Sequence, residues 1–173
     1  MKKSRRQFFQ TSAATGLGLA AGTGLSSAQL PRSAAKADFT VQNGNINQSI
    51  MGWCFAKHSK ATELAKHCKD IGLFAMEGIP REAYPAILQL GLKISLVSSH
   101  GFKKGPCNPK YRDEVISELT DAINIAENIG TKNVITFTGM RFDGMDEEKA
   151  AQRCIDTWKE VLPLAEKKGV TLA

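Results

Sequence analysis

From about residue 48 onward, short apolar runs alternate with longer stretches in which apolar residues recur every three or four positions. Gln48 to Phe55 reads as a strand. Ala61 to Ile71 reads as a helix, with Leu64, Cys68 and Ile71 on its apolar face. Leu73 to Glu77 predicts a second strand, Arg81 to Leu90 a short helix, and Leu92 to Ser98 a third strand. Asn108-Pro109 opens a longer helix, with Asn as cap and Pro in the first turn. Its apolar face is Val115, Leu119, Ala122, Ala126 and Ile129. Asn133 to Thr138 is again strand-like. Asp146 caps the next helix, and Glu147 and Glu148 suit its positive end. Cys154, Ile155, Trp158, Leu162 and Ala165 should line that helix's inner face, and Val170 to Ala173 begins one more strand. Pro85 and Pro163 should each kink or locally end a helix.

Gly72, Gly91, Gly130 and Gly169 each stand between a helix and a strand, where glycine takes the left-handed conformation without Cβ strain. Repeated helix–Gly–strand units imply parallel strands joined by right-handed crossovers. A doubly wound open sheet and a closed barrel both use this unit. No phosphate fingerprint follows the first strand, and polar residues gather at the carboxyl ends of several strands, as in barrels. The expected fold class is α/β, a partial (β/α)8 barrel of about four strand–helix units plus the start of a fifth strand. A complete barrel takes eight units and roughly 250 residues.

Ahead of this body, residues 29–47 are polar and small, with Pro31, Gly44 and several Asn, and read as a linker. Residues 1–28 read as a leader. Ser4-Arg5-Arg6-Gln7-Phe8 resembles a twin-arginine export motif, and an uncharged, weakly apolar run from Thr11 to Ala28 follows it. Ser26-Ser27-Ala28 offers a cleavage site, with Ala35-Lys36-Ala37 as a later option. The motif implies passage through the twin-arginine translocase to the periplasm. An uncleaved membrane anchor is the alternative, although the run's many small and hydroxyl residues make a poor spanning helix. Gly16-Leu17-Gly18 and Gly22-Thr23-Gly24 imitate a phosphate loop, but no strand precedes them. The body is then residues 48–173.

The leader changes the reading of charge. The whole chain carries +6, but without Lys2, Lys3, Arg5 and Arg6 its 23 basic residues fall to 19, against 17 acidic ones. A near-neutral body offers little to a phosphate backbone, so no nucleic-acid partner is expected. Cys54, Cys68, Cys107 and Cys154 contain no CxxC, and neither a zinc pattern nor a small disulfide scaffold is suggested. Most of them should be buried free thiols.

Candidate chemistry lies at the strand ends. Glu77 follows an apolar run, where a carboxylate is costly unless paired or functional. It would bind substrate hydroxyls or act as a base, or else bond structurally to a neighbouring loop. His100 stands between a strand end and the loop Gly101-Phe102-Lys103-Lys104-Gly105. It would donate to a substrate oxygen or move a proton, or else bond to loop backbone. Trp53 would stack on substrate, or pack as a core strand residue. Thr138 belongs to the fourth strand end and is a substrate-binding candidate. Arg141 would pair with a substrate carboxylate, or with Asp143 or Asp146 in its own loop. His67 reads as surface, and Lys103 and Lys104 as a solvated tip. No Ser-His-Asp set, no HExxH motif and no cluster of metal ligands is evident.

Ser49-Ile50-Met51-Gly52-Trp53-Cys54-Phe55, Ala75-Met76-Glu77-Gly78-Ile79, Ser95-Leu96-Val97-Ser98-Ser99-His100-Gly101 and Asn133 to Arg141 resemble the exported subgroup of the hydroxypyruvate isomerase family. That family lies in the xylose-isomerase-like barrel superfamily of sugar isomerases and epimerases. The resemblance covers about residues 45–173. It implies a small hydroxy-carbonyl or sugar substrate, with hydroxypyruvate interconverting with tartronate semialdehyde through an enediolate. A sugar isomerase or epimerase, or an exported sugar-binding module without catalysis, are the competing readings. The resemblance also implies a divalent metal ion held near the ends of later strands. No metal ligand maps onto this chain, and the first is expected shortly after Ala173, so this stretch alone is expected to be inactive. Glu77 and His100 carry over as catalytic candidates, and Trp53, Thr138 and Arg141 as substrate contacts.

Overall fold

The computed structural model describes residues 44–173, so the leader and residues 29–43 of the linker lie outside the described part. The body alternates strands and helices in the expected order. Strand β1 is Ser49–Met51, β2 Ala75–Glu77, β3 Lys93–Ile94, β4 Asn133–Val134 and β5 Thr171–Leu172. Helix α1 is Ala61–Asp70, α2 Tyr84–Gln89, α3 Arg112–Ile129 and α4 Glu147–Lys168. β1 pairs β2, β2 pairs β3, and β4 pairs β5, all parallel. A parallel bridge from Val97 to Val134 joins the segment after β3 to β4. The strands therefore lie side by side in chain order and point one way, as the repeat implies.

The strands are shorter than the apolar runs. The run at Gln48 to Phe55 forms a strand only to Met51, and Gly52–Phe55 then coils into a 3-10 turn. Trp53 is accordingly not a core strand residue but is 66% exposed. Beyond Ile94 the third strand loses strict alternation. Ile94 and Val97, three apart, both join the main core, whereas an unbroken strand would send them to opposite faces.

That core lies between the strands and the helices. Met76, Ile87, Leu119 and Ile123 are fully buried in it, each stabilising the fold by about 1.5–3 kcal/mol. α3 buries Val115, Leu119, Ala122, Ile123 and Ala126, close to the expected face. α4 is turned relative to expectation. It buries Ala150, Cys154, Thr157, Val161 and Ala165, while Ile155 and Leu162 are exposed. Thr157 tolerates burial because its hydroxyl donates to the Arg153 carbonyl one turn back, at 2.7 Å. α4 also runs through Pro163 without ending there. Pro163 and Lys159 are both exposed, so water can satisfy the carbonyl that lacks its intrahelical donor. Pro85, in contrast, sits in the first turn of α2, where a 3-10 turn over Arg81–Ala83 gives way to α-helix. Ile71 falls beyond the end of α1 and is 41% exposed.

The helix ends follow the sequence closely. Asn108 accepts from Lys110 N at 3.1 Å and Asp146 accepts from Lys149 N at 3.0 Å. Three helices close with the same bond spanning five residues: Leu73 N to Cys68 O, Thr131 N to Ala126 O, and Val170 N to Ala165 O. Each passes over a glycine at positive φ: Gly72, Gly130 and Gly169. Cys68, Cys107 and Cys154 are buried and Cys54 is exposed, all as free thiols. Burial pushes the Cys68 and Cys154 thiols up.

Candidate functional site

The carboxyl ends of the strands open onto a cavity of about 500 Å³ walled by Met51, Trp53, Ser98, His100, Ile135 and Phe137, among others. Such a volume suits a small ligand. Trp53 reaches it from the 3-10 turn after β1, Ser98 and His100 from the end of the third strand, and Phe137 from the end of the fourth.

His100 is 5% exposed, and both ring nitrogens are engaged. Nδ1 lies 2.7 Å from the Lys104 carbonyl, and Nε2 lies 2.9 Å from Thr136 Oγ1. Trp158 Nε1 donates to the same Thr136 oxygen at 3.0 Å. A carbonyl only accepts, so Nδ1 carries the proton and donates to it. Nε2, on the far side of the ring, shares a hydrogen bond with the Thr136 hydroxyl. The result is a chain of bonds from Trp158 through Thr136 to His100 and on to the loop backbone. This is the geometry of a loop histidine bonded to backbone. A proton can pass through Nε2 only when the Thr136 bond opens. Phe137 meets the imidazole edge-on at 6.2 Å, which seats the ring further. Lys104 is more than a solvated tip, since its carbonyl holds His100 and its ammonium pairs with Glu114 at 2.7 Å.

Glu77 ends β2. Its neighbour Met76 points into the helix-covered core, so the Glu77 side chain lies on the opposite face of the strand. There it stands in register with Met51, a wall of the cavity, and Oε2 accepts the Ser95 hydroxyl at 2.8 Å. The structure thus brings Trp53 and His100 to one cavity; Glu77 is not among its walls but stands in register with Met51, which is. The structure does not bring Thr138 or Arg141 there. Thr138 joins Thr136, Trp158 and Leu162 around a separate space of about 350 Å³ near α4. Its carbonyl accepts from Cys107 N at 3.1 Å. Arg141 is exposed and pairs with Glu147 at the start of α4, rather than with Asp143 or Asp146.

Two positions that matter for the site carry no local signal in the sequence. Arg81 donates to the Ser98 carbonyl through Nε at 3.2 Å and Nη2 at 2.7 Å, tying the loop after β2 to the end of the third strand. Gly105 touches the backbone of Gly139, which locks the loop carrying His100 onto the loop after β4. Among the described residues, no group of three or more His, Cys, Asp or Glu side chains is placed to hold a metal ion.

A family model described as xylose isomerase-like TIM barrel matches residues 59–173, and the chain belongs to that family. Its parallel strands and covering helices are part of such a barrel. No curated protein matches this chain. Among solved structures it resembles a protein from Sinorhizobium meliloti 1021, with 22% identity, a TM-score of 0.61, and coverage of 73% of this chain and 49% of that one. It also resembles a D-tagatose 3-epimerase-like protein, with 15% identity, a TM-score of 0.56, and coverage of 66% and 48%. A sugar phosphate isomerase/epimerase from Parabacteroides distasonis ATCC 8503 gives 11% identity, a TM-score of 0.52, and coverage of 77% and 52%. The chain spans about half the length of these structures. At such identities the likeness speaks for the fold.

Proposed function

We propose that this chain contributes to an isomerase that moves a proton between adjacent carbons of a hydroxy-carbonyl compound, with hydroxypyruvate or a sugar as substrate. The observation that carries this reading is Glu77, a carboxylate at the carboxyl end of β2 in register with Met51, which walls the cavity at the strand ends. The family and the epimerase names of its structural neighbours support the same class of reaction. Glu77 is the group we assign to proton transfer, removing the proton next to the carbonyl and returning it to the neighbouring carbon. The Ser95 hydroxyl orients its Oε2. His100, held on both nitrogens, fixes the cavity wall and leaves that work to Glu77. The resemblance carries an expectation of a divalent ion, but the described residues do not supply its donors, and no step assigned here runs through one. The leader motif supports export by the twin-arginine pathway to the periplasm, which cell fractionation with and without Arg5→Lys and Arg6→Lys would test.

The test is solvent hydrogen exchange. The protein is incubated in D2O with hydroxypyruvate, and separately with D-fructose, with and without Mn²⁺ or Mg²⁺, and followed by NMR. Deuterium entering the carbon next to the carbonyl supports the reading. Sugar binding with no exchange under any metal condition would leave a binding module in its place.

A further inference from the structure

Trp53 is a large ring left two-thirds exposed, yet it is not loosely attached. A Cβ on Gly78 would fall 2.7 Å from Trp53 Cδ1 and 2.2 Å from Met51 Sδ, and Gly78 holds a positive φ of 59°. Gly52, just before it, is equally close-packed, since a Cβ there would fall 2.2 Å from Ile79 Cγ2. Gly78 lets the loop after β2 come up against the Cδ1 edge of the indole. That edge is therefore held against backbone while most of the side chain faces solvent, leaving ring surface open to stacking.

Two cavities meet at this platform. The first is the inner cavity of about 500 Å³ beside Glu77. The second, of about 640 Å³, lies outward between the turn after β1, the start of α1 and the loop after β2. Trp53 and Ser98 belong to the walls of both. Ser98 is held by its two bonds from Arg81, so the ridge between the compartments is fixed on that side as well. Ala56, Ala61, Ile79 and Pro80 make the outer compartment largely apolar, with Lys60 at its edge.

We infer that the outer compartment is a second subsite, in which Trp53 stacks on an apolar-faced ring joined to a hydroxyl of the reacting sugar, so that the preferred ligand is a disaccharide whose reacting unit keeps its carbonyl, rather than a free three-carbon acid. This rests on the proposed sugar chemistry of the inner cavity and extends it. The reacting unit enters beside Glu77. The linked ring lies outside, against the indole, and is a second pyranose.

Tryptophan emission reads this directly, since Trp53 is exposed while Trp158, the other tryptophan, is part-buried, bonds Thr136 and lines neither compartment, and so serves as an internal reference. The full chain is titrated with methyl β-D-glucoside, phenyl β-D-glucoside and cellobiose. Ring-bearing probes should half-saturate the emission change at least about tenfold below the methyl glucoside. Trp53→Ala should remove that advantage and Trp53→Phe should keep most of it, with circular dichroism confirming that both fold. Phenyl glucoside has no free carbonyl and reads stacking alone, and an advantage for it that cellobiose does not share overturns the assignment of a second sugar. Equal half-saturation for all three probes, no response to any, or an advantage that survives Trp53→Ala overturns the inference. Ring-selective binding without deuterium exchange would sink the proposed isomerisation alone. Exchange into a free sugar without ring selectivity would sink the subsite alone.

Discussion

The Cβ that Gly105 lacks would lie 2.2 Å from the backbone nitrogen of Gly139. Two loops that leave neighbouring strands thus touch backbone to backbone, and one of them carries His100. Gly139 also stands at φ 101°, a conformation that side chains resist. Gly105→Ala and Gly139→Ala should each destabilise the fold by about 1–3 kcal/mol. Gly101→Ala is the control, since nothing lies within 4 Å of its added methyl. Urea unfolding of the three variants checks this, and an unchanged midpoint for Gly105→Ala would contradict it.

Thr136 serves two partners with one hydroxyl. Thr136→Val keeps the shape but leaves His100 Nε2 and Trp158 Nε1 without their partner. The loss should be about 1–3 kcal/mol, while Thr136→Ser should recover most of it. Denaturant midpoints separate the two variants.

Glu77→Gln should leave stability nearly unchanged, because the amide oxygen can still accept the Ser95 hydroxyl. Deuterium exchange into substrate should fall by about 10²-fold or more, the usual contribution of a positioned base. Retained exchange in this variant would remove Glu77 from the reaction.

Asp146 gives the fold an acid-sensitive joint. The backbone N–H of Lys149, followed by its side chain, holds the Asp146 carboxyl below its usual value. A depressed carboxyl contributes stability above its unfolded pKa of about 3.9, and that stability is lost as pH falls through the lower folded value. Asp146→Asn keeps a capping oxygen but cannot titrate. Wild type should therefore melt above this variant at neutral pH, and the two should converge as pH drops below about 4. A constant difference across that range would contradict the assignment.

Where structure is decided by near neighbours, the sequence shows it plainly. Asp146 caps the helix it was expected to cap, Asn108 caps instead the 3-10 turn Pro109–Tyr111 that leads into the long helix, and Gly72, Gly130 and Gly169 end theirs. The parallel order of the strands follows from that repetition. Contacts between distant residues are what the sequence hides. Thr157 looks polar, but its hydroxyl is spent inside its own helix, so the buried face of α4 turns toward it and away from Ile155. Trp53 looks like core because it extends an apolar run, yet Gly52 starts a tight turn and carries it out. Glu77 and His100 could be singled out because polar groups at strand ends are conspicuous. Neither the Ser95 bond nor the Thr136 relay could be foreseen, since each depends on the register between strands.

The shared closure of α1, α3 and α4 bears on how such a chain arises. Each of these helices hands over to its strand through one joint: a left-handed glycine spanned by the same backbone bond. Because the joint draws on no side chain from elsewhere, a copied segment brings its own connector with it. Gene duplication can therefore lengthen this architecture without inventing new linkages, and selection is left to act on the strand tips.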